Sequence, residues 1–318
     1  MPDHRANIVA VARALAVDRT TAEVVTGLDA AGVPSVLLKG PVLTKALYDD
    51  AAARTYADTD VLVPARLIRR AEGALAELGF AGPSRDAYRG RWAPSGLEHV
   101  RASDRASVDL HVTVHGATAP ADDVWDVLDG ETEPMTLAGA RVRVLRPGAL
   151  AYLVAAHAAH HGASVAKPLR DLGRGLERWP EATWAAAATV AERLGGRAAL
   201  DEGLRLVPGG VELARRLGVE ADPSLDTVLA ALSPPVSAMG WQRVLSARGA
   251  RAKSRMLVRE LVPSPRYMRT WDPAIGASRG ALALAYARRL GRLTRELPAA
   301  LTALRTARTR LREREGGR

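Results

Sequence analysis

Two aspartates, Asp58 and Asp60, stand one residue apart at the head of the apolar run "DTDVLVP". If that run is a β-strand, residues i and i+2 point to one face, and both carboxylates converge there. An unpaired carboxylate in a buried strand is costly, and two held together raise one another's pKa unless positive charge compensates them. A hard divalent cation resolves the conflict, with Mg²⁺ as the expected ion. Asp109, in "SVDLHVTVHG", lies on the polar side of an apolar strand and supplies a third carboxylate if the two strands pair. Three carboxylates, two Mg²⁺ ions about 3.5 to 4 Å apart and a polyphosphate between them form the usual arrangement for nucleotidyl transfer. The competing reading makes Asp58 and Asp60 a solvated strand end, or a turn paired with Arg54.

A complementary piece precedes them. "VLLKGPVLTKAL" reads as a strand, a tight turn at Gly40 and a helix N-terminus whose free N–H groups and dipole favour an anion. Lys39 or Lys45 can then add positive charge to a triphosphate. This is not a Walker A loop: the nearest Gly-x4-Gly, Gly27 to Gly32, is followed by Val33 rather than Lys-Ser/Thr, and no Gly-x-Gly-x-x-Gly follows a strand. An ordinary strand-to-helix turn is the alternative for Lys39-Gly40.

His157, His160 and His161 fall at i, i+3 and i+4, on one face of a predicted helix. As a zinc site they fall short, because no Glu follows the first His and no third ligand stands at a usual spacing. Satisfied, partly buried histidines are the plainer reading. With no cysteine in the chain, disulfides and thiolate metal sites are excluded.

These residues need elements to hold them. Residues 6 to 31 have helical periodicity, with Ile8, Val11, Leu15, Val24 and Leu28 as the expected buried stripe. "SVLLK" and "TDVLVP" read as strands, and "ARLIRRAEGALAELGF" as a helix ended at Gly79. In "SVDLHVTVHG", Val108, Leu110, Val112 and Val114 share one face, while Asp109, His111, Thr113 and His115 share the other. Residues 81 to 105 read as loops with a weak hairpin, and "RVRVL" as one more short strand. Beyond Pro147 the pattern is helical to the end. The expectation is an α+β (mixed α/β) protein: residues 1–146 form a small mixed sheet with flanking helices, and residues 147–318 a mostly helical domain with a basic C-terminal helix.

The chain of 318 residues is Ala- and Leu-rich with a single Phe, which favours packed helices. Its net charge is +10, but the stretch from Trp241 onward alone carries 19 Lys+Arg against 5 Asp+Glu, so the residues before it are net acidic. That basic third could attract RNA or an acidic lipid surface; the simpler reading is a solvated face of Arg-rich helices. Along the last helix Leu282, Tyr286, Leu290, Leu293, Leu297, Leu301 and Leu304 form a stripe, read first as core packing. A membrane role is not expected, because about 18 uninterrupted apolar residues occur nowhere. With no signal-like N-terminus either, a cytoplasmic location is expected.

Taken in order, a strand ending in Lys-Gly, a short helix reaching "ALY", "R-x3-D-x-D-x-L-V", an "AxxxLxxLGF" helix, "VDLH" and "HAAHHG…LRDL" resemble the uncharacterised bacterial nucleotidyltransferase family of the polymerase-β-like superfamily. The likeness spans roughly residues 30 to 300, with little contributed between about 175 and 250. It implies a nucleotidyltransferase-type fold and a Mg²⁺-dependent enzyme that moves an NMP from an NTP to an acceptor, releasing pyrophosphate. Asp58 and Asp60 match the paired metal-binding carboxylates, Asp109 the third, and Lys39-Gly40 the phosphate-holding turn. His111 matches the His after the third Asp. In similar sequences the histidine helix and Arg170-Asp171 pack against the catalytic cleft. The implied nucleotide-binding set is therefore Lys39, Gly40, Lys45, Arg54, His111, His157, His161 and Arg170. Two departures stand out: the wider superfamily has Gly-Gly or Gly-Ser where this chain has Lys39-Gly40, and an apolar residue where it has Thr59. The acceptor is open between a small molecule, a peptide and RNA. A tRNA-modifying enzyme of toxin type and a catalytically degenerate nucleotide-binding or interaction protein are the alternatives.

Overall fold

A computed structural model describes residues 4–88, 94–221, 224–232, 234–271, 275–276 and 278–316. Its centre is a seven-stranded mixed sheet in the order β3-β4-β5-β2-β1-β7-β6. The strands are β1 (Val36–Leu37), β2 (Thr59–Leu62), β3 (Phe80–Ala81), β4 (Gly96–Arg101), β5 (Ser107–His111), β6 (Thr132–Leu137) and β7 (Ala140–Leu145). β2 runs antiparallel to β1 and parallel to β5. β1 and β2 are buried along their whole length, as interior strands are, and β2 carries the polar Thr59 and Asp60 into that interior. The alternation expected around Asp109 holds: Val108, Leu110, Val112 and Val114 are all buried, although the strand itself stops at His111.

The helices before and between these strands are α1 (His4–Ala30), α2 (Pro41–Leu47), α3 (Ile68–Glu77) and α4 (Ala121–Gly130). α5 (Pro147–His161) follows the sheet, starting at Pro147 in the first turn, where a missing N–H costs nothing. It is apolar all round and buried along most of its length, as a central helix should be. Around it lie α6 (Ala166–Arg178), α7 (Glu181–Arg193), α8 (Arg197–Leu204) and α9 (Gly210–Arg216). One apolar core is continuous from Val24 to Val219, so the sheet and α5 to α9 share it.

The remaining helices are α10 (Leu225–Ala231), α11 (Val236–Ser246), α12 (Ala250–Leu261), α13 (Pro265–Trp271) and α14 (Arg279–Gly316). A second, small core joins Val228 and Leu229 of α10, Ala238 of α11, and Ala300, Leu304 and Ala307 of α14. Tyr267 of α13 meets Tyr88 edge-on at 5.5 Å and ties this unit to the sheet beside Leu97.

Three expectations change. The first half of α1 is not buried: Ile8 and Leu15 are each 57% exposed and Val11 is also exposed, whereas Val24 and Leu28 are fully buried. The stripe marks an apolar face, but only its second half lies on the sheet. On α14, Leu290 and Leu301 of the stripe are exposed, Leu304 is buried as expected, and Ala300 and Ala307 complete the buried face. The region from 81 to 105 contains the regular strand β4, and β6 was not expected at all; it sits at the sheet edge, where Pro134 is tolerated. Among the described residues no helix is long and apolar enough to cross a membrane.

Candidate active site

Lys39 follows β1, and Gly40 then turns the chain into α2. Gly40 has φ +67° and ψ −121°, a backbone region that residues with a Cβ avoid, and Pro41 occupies the first helical turn. A Cβ at Gly40 would meet the Tyr56 ring at an ordinary contact distance of 3.4 Å, so the backbone conformation rather than space calls for glycine here.

Asp58, just before β2, and Asp60, within it, flank Thr59, whose Oγ1 lies 2.8 Å from Thr21 Oγ1 in the core behind the sheet. That partner accounts for a hydroxyl where an apolar residue was expected. Asp60 and Asp109 are register partners in the parallel β2–β5 ladder. Lys39 Nζ donates to Asp60 Oδ1 at 3.0 Å, and His111 Nε2 lies 3.0 Å from the same oxygen. Donor atoms of Asp60, Asp109 and His111 lie within 4.8 Å of one another, the only such set of three among the described residues.

The electrostatics follow from this crowding. Burial works against the Asp60 carboxylate, yet the His111 contact and the Lys39 ammonium outweigh it and hold its pKa well below the usual range. Burial, and then the charge of Asp60, push Asp109 up to about 6 and raise Asp58 as well. Three acidic groups in one place are therefore short of positive charge. Two hard carboxylates with an imidazole nearby fit a divalent cation, which would relieve that repulsion.

The group opens into a cleft of about 350 Å³, lined by Lys39, Gly40, Arg54, Asp58, Asp60, Asp109 and His111, and by His157, His160 and His161 from α5. Asp58 borders the cleft but is outside the three-donor set. His115 stacks on His160 at 3.9 Å, and His157 meets His161 edge-on at 4.5 Å. Burial holds His115 and His157 well below the ordinary imidazole range, so this wall of the cleft is neutral near pH 7.

Arg54 does not pair with Asp58 or Asp60. It is buried, its Nε and Nη2 bind the Asp171 carboxylate at 3.0 to 3.1 Å, and its Nη1 donates to the Gly40 carbonyl at 3.2 Å. Tyr48 donates to the same Asp171 at 2.7 Å. The arginine-paired turn is thereby excluded, and Arg54 instead braces the Gly40 bend against α6. Lys45 and Arg170 are exposed and line neither this cleft nor the larger cavity beside it.

Sequence reasoning missed His115, Gly96 and Lys167, which also line the cleft. His115 carried a signal, because it continues the alternating face of Asp109 and His111. Gly96 faces His111 across β4–β5, where a Cβ would come within 2.6 Å of the imidazole ring. Nothing local marks it, or Lys167, as part of the site.

The model of a family described as uncharacterised nucleotidyltransferase matches residues 4–208. No curated protein and no solved structure matches the chain. The matched stretch contains the whole acidic cluster, the Lys39-Gly40 turn and the histidine helix, and it covers more than half of the sequence. The chain belongs to this uncharacterised nucleotidyltransferase family.

Proposed function

We propose that the protein transfers a nucleoside monophosphate from an NTP to an acceptor in a Mg²⁺-dependent reaction. The observation that carries this reading is the convergence of Asp60, Asp109 and His111 beside the Lys39-Gly40 turn. Asp60 and Asp109 are the metal-holding carboxylates, with Asp58 available to a second ion. Bound Mg²⁺ would supply Lewis-acid activation of the acceptor and neutralise charge on the departing pyrophosphate.

The side chains do the rest. The Gly40 bend, at the N-terminus of α2, and the Lys39 ammonium hold phosphate oxygens. His111 orients Asp60. The acceptor oxygen attacks the α-phosphorus, the bond from that phosphorus to the bridging oxygen breaks, and pyrophosphate leaves. The acceptor's proton passes to Asp109, which borders the cleft beside Asp60.

Calorimetry of the full chain with Mg²⁺ and each NTP, coupled to a pyrophosphate assay in a cell extract that supplies acceptors, tests the reading. Binding and pyrophosphate release in the wild type, with release lost in Asp60→Asn, support it. Binding without pyrophosphate would make the protein a nucleotide-binding module, and no binding at all would reject the reading.

A further inference from the structure

The cleft adjoins a larger cavity of about 590 Å³. Pro94, Ser95, His115, His160 and His161 line both spaces. The far walls come from α10 to α14, beyond the residues the family model matches. Whatever fills this cavity is chosen by the part of the chain that lies outside the family match.

Its lining is mainly apolar, with Met239, Trp241, Leu261 and Leu293 among the contributors. Two of its acids and its arginines are engaged with one another: Arg243 binds Glu260 at 3.0 Å, Arg289 donates to the Glu260 carbonyl at 2.8 Å, and Arg292 lies 3.9 Å from Glu296. Ser237 and Trp241, four residues apart on α11, share a helical face. Ser237 Oγ and Trp241 Nε1 are buried there with no hydrogen-bond partner among the described residues. Buried donors are rarely left unmade, because the desolvation cost is then not recovered. A ligand carrying acceptor atoms would satisfy both.

Volume and chemistry together favour a small molecule. The cavity has the size of drug-scale ligand sites, which are mostly apolar with a few fixed polar groups. A nucleic-acid strand instead needs an open basic groove with stacking faces. Resting on the transfer reaction proposed above, we infer that this cavity is the acceptor site. The acceptor is a small organic molecule with an apolar body, polar oxygens or nitrogens facing Ser237 and Trp241, and a hydroxyl that reaches the cleft past His115 and His160. That hydroxyl oxygen bonds to the α-phosphorus, its proton goes to Asp109, and pyrophosphate departs.

The test uses the full-length protein and two cavity-filling variants, Leu293→Trp and Ala230→Phe, so that one folding failure does not end it. The first probe is 8-anilinonaphthalene-1-sulfonate, an amphipathic aromatic anion that fits the space. Its affinity should fall at least about tenfold in either variant and stay unchanged in Asp60→Asn, while Mg²⁺-NTP affinity should show the opposite pattern. Dye binding indifferent to both substitutions overturns the inference. The second measurement incubates the protein with Mg²⁺, an α-³²P-labelled NTP and a fractionated extract of the cells that make it. Label in the small-molecule fraction, diminished by Leu293→Trp, supports the inference; label in RNA or protein overturns it. A wild-type protein that binds no Mg²⁺-NTP overturns the transfer reading itself. Nucleotide binding with label confined to macromolecules overturns the acceptor class alone.

Discussion

Asp60 and Asp109 face each other as register partners across two parallel strands, and their acidities are driven in opposite directions. One carboxylate has already gathered the nearby positive charge, from Lys39 and His111. The other bears the repulsion and the burial that remain. Such a split between neighbouring acids marks sites of acid–base or metal chemistry more often than structural pairs.

Asp60→Asn removes the negative charge on which both contacts and any cation rely, with almost no change in side-chain volume. Pyrophosphate release should fall by at least about 10²-fold, the scale seen when one charge-stabilising group is deleted. Circular dichroism should be unchanged, because the apolar strand positions around Asp60 are untouched. Near-wild-type turnover in this variant would remove the carboxylates from the mechanism.

The raised pKa of Asp109 predicts a pH dependence with a definite sign. Held at about 6 by burial and the charge of Asp60, the folded chain keeps a proton that the unfolded chain releases near its ordinary value. Stability from this group is complete below about pH 4 and is lost as the pH rises through about 6. Metal-free wild type should therefore lose denaturation midpoint across that window relative to Asp109→Asn, which has no proton to release. Asp60, depressed rather than raised, acts in the other direction and only in more acidic solution. Saturating Mg²⁺ should flatten the difference, since a bound cation favours the carboxylate form.

The sheet around these acids was legible because alternation is local: apolar Val108, Leu110, Val112 and Val114 leave Asp109 and His111 on the other face whatever lies far away. The i, i+3, i+4 spacing of His157, His160 and His161 placed them together in the same way. What stayed hidden depends on distant partners. Arg54 is bound 117 residues away by Asp171, and nothing near Arg54 distinguishes that partner from Asp58. Ile8 and Leu15 show an apolar stripe, but a stripe does not say whether another element reaches it. β6 carries Thr, Glu and Pro, and becomes a strand because β7 offers a free edge.

Gly96 is needed for space rather than for backbone freedom. An added Cβ would sit 2.6 Å from Cε1 and Nε2 of His111, the same nitrogen that contacts Asp60. Gly96→Ala should therefore destabilise the fold by about 1–3 kcal/mol, the usual cost of overpacking. It should also weaken Mn²⁺ binding about tenfold or more, as loss of an orienting partner does at metal sites. Urea denaturation and metal titration, run on the same samples, measure both.

Arg54 and Asp171 are almost fully buried, so removing one partner strands the other's charge. Asp171→Ala should cost about 3–5 kcal/mol in urea denaturation. Asp49→Ala, which breaks the exposed Asp49–Arg178 pair, should leave the midpoint close to wild type. Arg54→Lys keeps the charge but loses the planar fork that spans Asp171 and the Gly40 carbonyl, and should fall between these extremes.

Lys39 separates metal binding from nucleotide binding. Its ammonium sits on Asp60 Oδ1, so a divalent cation entering the site competes with it for the same carboxylate. Lys39→Met removes that competitor and one nearby positive charge, and Mn²⁺ alone should then bind several-fold more tightly. An NTP presents phosphate oxygens that need this cation, and its affinity in the presence of Mg²⁺ should drop about tenfold, or about 1.4 kcal/mol. The opposite signs are the point of the measurement. A substitution that merely damaged the turn would weaken both ligands, whereas an ammonium that serves the nucleotide at the expense of the bare metal moves the two calorimetric affinities apart.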